Sequence, residues 1–130
     1  MFECYGWISV SETDETREAN IISMIEKTFT ENAALNFNTD GRYMNGTYKA
    51  SIIINTNHAG PWKWIESLYK HIAETSQSAY GLVMFWNDED EMGWDNEFQT
   101  WVLKRGSFAF EKDKHLSPCN PVIADPDAFA

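Results

Sequence analysis

Basic residues are scarce in this chain: 10 lysines and arginines stand against 20 aspartates and glutamates, a formal charge of −10 over 130 residues. A protein that grips phosphates needs cations to displace counterions, so this balance argues against nucleic acid as a ligand. It disfavours an anionic membrane surface for the same reason. Long apolar runs are missing as well, since none approaches the roughly 20 residues of a membrane span. The opening Met1-Phe2-Glu3-Cys4 has no basic stretch and no apolar core behind it, so no secretion signal is expected. Cysteine is limited to Cys4 and Cys119, which are expected as reduced thiols in the cytosol. The chain contains no His-Glu-x-x-His, no paired Cys-x-x-Cys, no phosphate loop and no nucleophile elbow. Internal repeats and domain linkers are absent too.

What remains is enough to fold. At 43% hydrophobic and 15% aromatic residues, disorder is excluded for most of the length, and residues 1–130 are expected to form a single domain. Residues 2–11 alternate as a strand covered at least partly on both faces, with Tyr5 and Trp7 opposite Phe2, Cys4, Ile8 and Val10. Ser11 to Glu15 offers a helix start, and the helix is predicted over about 14–34 with Ile22, Ile25 and Phe29 buried, widened by Ile21 and Met24. Asn36 to Asn38 and Asp40-Gly41 read as turns. Strands are predicted at Arg42 to Asn45 and Thr47 to Asn55, joined through Asn45-Gly46, whose residues tolerate the positive φ of a tight hairpin.

The loop Asn57-His58-Ala59-Gly60-Pro61 leads into a helix at 61–76, with Ile65, Leu68, Tyr69, Ile72 and Ala73 on one face. Tyr80 to Trp86 is apolar throughout, as in a strand buried on both sides. Further strands are predicted at Phe98 to Leu103 and around Phe108 to Phe110. Residues 112–130, broken by Pro118, Pro121 and Pro126, are expected as an extended segment. The fold class is α+β: a single-domain sandwich in the order β-α-β-β-α-β-β-β, with two helices on one face of the sheet. Its first six elements follow the ferredoxin-like order.

The densest chemical signal lies between the last central strand and its successor. Ten positions, Asp88 to Glu97, hold six carboxylates (Asp88, Glu89, Asp90, Glu91, Asp95 and Glu97) and no lysine or arginine. Such a run repels itself, so it belongs on a solvated loop, where its field attracts cationic surfaces. Trp86 and Trp94 flank the acids and are candidate anchors, because tryptophan is enriched at interface hot spots. Trp7, Trp64 and Trp101 fall inside predicted elements and are expected to build the core.

Other chemistries fare worse. Set on a calcium-loop template from Asp88 with Gly93 sixth, Met92 and Gln99 occupy ligand positions, so no metal site is expected. The acids are bunched on one loop instead of flanking a sugar cleft. His71 reads as helix surface and His115 as part of the tail. His58, before a Gly-Pro helix start, is the residue on which a small cytosolic enzyme would have to rest, together with nearby carboxylates. No catalytic residue and no cofactor is assigned.

Several segments resemble one known family. They are Met1 to Trp7, Asn57-His58-x-Gly60-Pro61-Trp62, Tyr80-Gly81-Leu82, Asp95-Asn96-Glu97-Phe98-Gln99-x-Trp101-Val102-Leu103, and Leu116-Ser117-Pro118-Cys119-x-Pro121-Val122. In this order they resemble immunity protein family seven of bacterial polymorphic toxin systems, which include contact-dependent growth inhibition. The resemblance implies a non-enzymatic cytosolic antidote that binds the toxic C-terminal domain delivered by a sibling cell. It leaves the toxin's activity open. The charge adds a separate expectation: a basic, nuclease-type toxin domain, bound one to one, whose cationic cleft an acidic loop could fill.

Overall fold

Alternation in the first strand sets one side of the core. In the computed structural model, which describes residues 1–120, β1 (Phe2–Val10) turns Phe2, Cys4, Ile8 and Val10 to the same side, all at most 1% exposed. Asp14 then caps α1 (Glu15–Glu31), its carboxylate accepting the Arg17 amide at 3.0 Å. A hairpin follows, β2 (Phe37–Met44) and β3 (Thr47–Thr56), turning through Asn45 at φ 53° and Gly46 at φ 81°. Pro61 opens α2 (Pro61–Thr75), and β4 (Tyr80–Asn87), β5 (Gln99–Lys104) and β6 (Ser107–Lys112) complete the element order.

The six strands form one sheet in the order β2-β3-β1-β4-β5-β6, every neighbouring pair antiparallel. β1 therefore lies between β3 and β4, as the ferredoxin-like order requires, and β5 and β6 extend the sheet beyond β4. Both helices pack on one face. Ile21, Ile25 and Phe29 of α1 and Ile65, Leu68, Tyr69, Ile72 and Ala73 of α2 share a core with Phe2, Cys4, Ile8, Ile52, Ile54, Val83 and Leu103. An aromatic group closes that core under α2: Trp62 lies 4.3 Å from Phe85 and 5.6 Å from Trp101, and Phe108 stacks on Trp101 at 5.3 Å. The Tyr69 hydroxyl reaches between β1 and β4, donating to the Leu82 carbonyl at 3.0 Å with the Trp7 carbonyl at 3.3 Å.

The structure corrects several expectations. α1 ends at Glu31 and not near 34, because the Asn32 side chain and amide both bond back to the Thr28 carbonyl. Its buried stripe is Ile21, Ile25 and Phe29, with Ile22 only half-buried. The segment read as turns, Asn36 to Asn38 and Asp40-Gly41, lies mostly within β2, since only Asn36 precedes the strand. β2 is an edge strand, where polar side chains face water at little cost.

The largest correction concerns β1 and β4, which are covered on one face only. Tyr5 and Trp7 on β1 and Tyr80 and Leu82 on β4 are 41%, 42%, 50% and 38% exposed. Trp7 is thus outside the core, whereas Trp64 and Trp101 do pack against it. Within the last segment, residues 113–120 fold back on the loop before β5. Asp113 accepts the amides of His115 and Leu116 and the Ser117 hydroxyl, and Asn96 exchanges hydrogen bonds with Asn120 at 2.8 Å. Pro121, Pro126 and the rest of the expected extended segment lie outside the described residues.

Candidate functional site

The acid-rich stretch is the connection from β4 to β5, and its shape is set by hydrogen bonds from its own ends. The Trp86 indole donates to the Asp95 carbonyl at 2.7 Å, drawing the two limbs together. The amide of Glu97 bonds the Trp94 carbonyl at 3.1 Å, and the Cys119 amide bonds the Asn96 carbonyl at 2.8 Å. Ser117 accepts the Phe98 amide at 2.9 Å, so the folded-back segment fixes the exit from the loop.

The six carboxylates divide by what they touch. Asp88 pairs with the Met1 amino group, which raises that amine above its ordinary value. Glu89 lies 2.7 Å from His58 Nδ1 and 3.7 Å from the Met1 amino group. The hydrogen bond to His58 holds the Glu89 carboxyl below its ordinary value. Asp90 accepts the backbone amides of Met92 at 2.8 Å and Trp94 at 3.0 Å, and so shapes the turn. Glu91, Asp95 and Glu97 have no ion-pair partner among the described residues; Glu91 and Asp95 are exposed and Glu97 is half-buried. Three of the acids therefore brace the loop, and three have no cation against them among the described residues.

Both flanking tryptophans are half-buried and already engaged. Trp86 lies 6.3 Å from Phe98, and Trp94 meets Phe110 edge-on at 5.1 Å. Trp86 holds the loop against Phe98, just before β5, and Trp94 holds it against β6, each keeping part of its ring exposed. His58 is exposed and turned to Glu89, so it serves as a strut from the loop before α2. Among the described residues no three His, Cys, Asp or Glu side chains gather around a point that would hold a metal ion.

Sequence reasoning missed a second surface, next to the loop. On the uncovered face of the sheet, Tyr5, Trp7, Ile53, Leu82, Met84 and Thr100 line a shallow, mostly apolar groove. Ile53 is 48% exposed there, and Tyr80 meets Trp7 edge-on at 5.8 Å beside it. The signal was present in the parity of β1, which sets Tyr5 and Trp7 opposite the core residues. Register runs this face into the acidic loop, because Glu3 pairs with Trp86, the second-last residue of β4.

No described helix is long and apolar enough to cross a membrane. The chain matches no curated protein and no solved structure significantly. It does match the family model described as Immunity protein 7 over residues 1–125, nearly the whole length. The match takes in both the acidic loop and the strands that carry it. The chain belongs to the Immunity protein 7 family and is an immunity protein directed against a toxin.

Proposed function

We propose that this immunity protein neutralises its toxin by presenting the β4–β5 loop to a cationic surface of the toxin domain and covering the active site or the substrate-binding surface there. The protein works without catalysis, as one domain, in the cytosol of the cell it protects. One chain takes one toxin domain, the C-terminal domain of a polymorphic toxin such as those of contact-dependent growth inhibition. The observation that carries this reading is the division of the acids. Asp88, Glu89 and Asp90 hold the loop in place, while Glu91, Asp95 and Glu97 project charge that no described cation neutralises. A fixed cluster of that kind raises the encounter rate with a cationic partner and selects against anionic ones.

A nuclease-type toxin suits this surface, since an enzyme that holds a polyanion must itself line its cleft with lysine and arginine. The carboxylates then stand where phosphates would. Trp86 and Trp94, half-buried beside the acids, brace the loop and serve as aromatic anchors for the toxin, and His58 steadies it through Glu89.

The experiment is to mix the purified protein with the toxin domain encoded beside it and to measure stoichiometry by native mass spectrometry and toxin activity in parallel. A one-to-one complex with loss of toxin activity supports the reading. A complex that leaves the toxin fully active contradicts occlusion, and turnover of substrate by the isolated immunity protein contradicts the non-catalytic role.

A further inference from the structure

We propose that the uncovered face of the sheet binds a second copy of this chain, related to the first by a twofold axis that lies between the two sheets and runs across the strands. The face is ordered in rows, because residues paired in register share a side of the sheet. At the far end, Arg42, Lys49, Ser9 and Tyr80 pair in succession across β2, β3, β1 and β4. Lys104 extends this row, one position beyond the Leu103–Gly81 pair. At the near end stand Glu3 and Trp86, with the acidic loop immediately after β4. Between the ends run two rows led by apolar side chains, one through Ile53, Tyr5 and Met84, the other through Trp7, Leu82 and Val102.

Arg42 is paired at 3.0 Å with Asp40, two residues back on the same side of β2, so Lys49 and Lys104 carry the positive end of the face, opposite Glu3 and the acidic loop across a largely apolar middle. Lys49 touches the neutral Ser9 hydroxyl at 2.7 Å, and neither Lys49 nor Lys104 has a carboxylate partner among the described residues. A uniformly cationic partner covering this face would be repelled by Lys49 and Lys104. A uniformly anionic one would be repelled by Glu3 and the loop. A second copy turned end for end sets cations over acids at both ends and apolar rows over apolar rows between them. That is the self-complementarity an isologous interface requires. Two sheets packed this way sit about 10 Å apart with their strands roughly aligned.

The net charge of −10 does not prevent this arrangement. Six strand steps separate Glu3 from Ser9, about 20 Å, so the two acidic loops lie at opposite ends of the interface, beyond the screening length of about 8 Å at physiological salt. Size sets the strength. Five strand spacings of about 4.8 Å by about 20 Å give a flat footprint of roughly 480 Å² on each sheet, which places the contact among small interfaces. A weak, reversible dimer is expected.

The test is sedimentation of the full chain over about 1 to 300 µM, a span wide enough to detect a weak dimer. The wild type should pass from monomer to dimer, and Trp7→Asp or Leu82→Asp should weaken dimerisation at least about tenfold, the loss of one buried apolar anchor. Two separate variants guard against one failing to fold, and circular dichroism checks each. Lys49→Glu and Glu3→Lys should each weaken the dimer, while the double variant, which swaps the facing charges, should restore it to near the wild-type value. A monomer at every concentration overturns the proposal. So does a dimer indifferent to Trp7→Asp and Leu82→Asp. A monomeric wild type whose toxin binding is lost in those variants also overturns it, and assigns the face to the toxin instead.

Discussion

Asp90 accepts the backbone amide of Trp94 at 3.0 Å, so a residue from the most acidic part of the chain spends its charge on loop shape. The same carboxylate oxygen takes the Met92 amide at 2.8 Å. Charge density in a sequence therefore overstates the charge available to a partner. Two of the six loop acids are tied to the Met1 amino group and His58, and a third to the loop backbone.

Replacing Asp90 with alanine removes both acceptor bonds and should loosen the turn. The expected cost is about 1 kcal/mol of local stability, read as a roughly fivefold to tenfold faster hydrogen exchange at Met92 and Trp94. Asp90→Asn keeps an acceptor oxygen and should retain most of the protection. Equal exchange in the two variants would mean that this carboxylate does not set the turn.

Gly6 and Tyr69 are matched in space. A Cβ at residue 6 would come 2.7 Å from the Tyr69 hydroxyl and 3.1 Å from Val83 Cγ2. Gly6→Ala should destabilise by about 2 kcal/mol through overpacking. Removing the hydroxyl in Tyr69→Phe relieves part of the clash, so the double variant should lose less than the sum, with a coupling of about 1 kcal/mol. Urea unfolding of the four proteins measures it, and strict additivity would contradict the contact.

Asp113 gives a pH dependence of known sign. Burial alone would raise its carboxyl, but the amides of His115 and Leu116 and the Ser117 hydroxyl together outweigh it and hold the group below its ordinary 3.8. A carboxyl depressed on folding contributes stability that is whole above 3.8 and is lost as pH falls through the lower folded value. Urea midpoints taken downward from neutral pH should fall more steeply below 3.8 for the wild type than for Asp113→Asn. Parallel curves would show that Asp113 is not held in its charged form by the turn.

Much of the architecture could be read from the sequence because its signals are local. The α2 stripe from Ile65 to Ala73 and the Asn45-Gly46 turn depend only on neighbours within about two helical turns or one hairpin. β4 was misjudged because an apolar strand reads the same whether one face or both are covered, and no local feature reports a missing second layer. The first half of β2, up to Gly41, was taken for turns because its polar residues suit an edge as well as a loop, whereas the strand expected from Arg42 is its second half. At the site, the cluster itself was visible, but its internal partners were not. Asp88 is held by a residue 87 positions away and Glu89 by one 31 positions away, separations set only by the strand order.

Glu91, Asp95 and Glu97 are the loop acids without a cation partner among the described residues, and the proposed encounter with toxin runs through them. The most direct measurement is the association rate of the encoded toxin domain with wild type and with the variant carrying all three as lysine, at about 50 mM and about 500 mM salt, where the screening length falls from about 14 Å to about 4 Å. The wild-type rate should fall at least tenfold between those salts, and the variant should be slow at both while keeping its circular dichroism and melting temperature. Equal rates for the two proteins at low salt would contradict the electrostatic role of this loop.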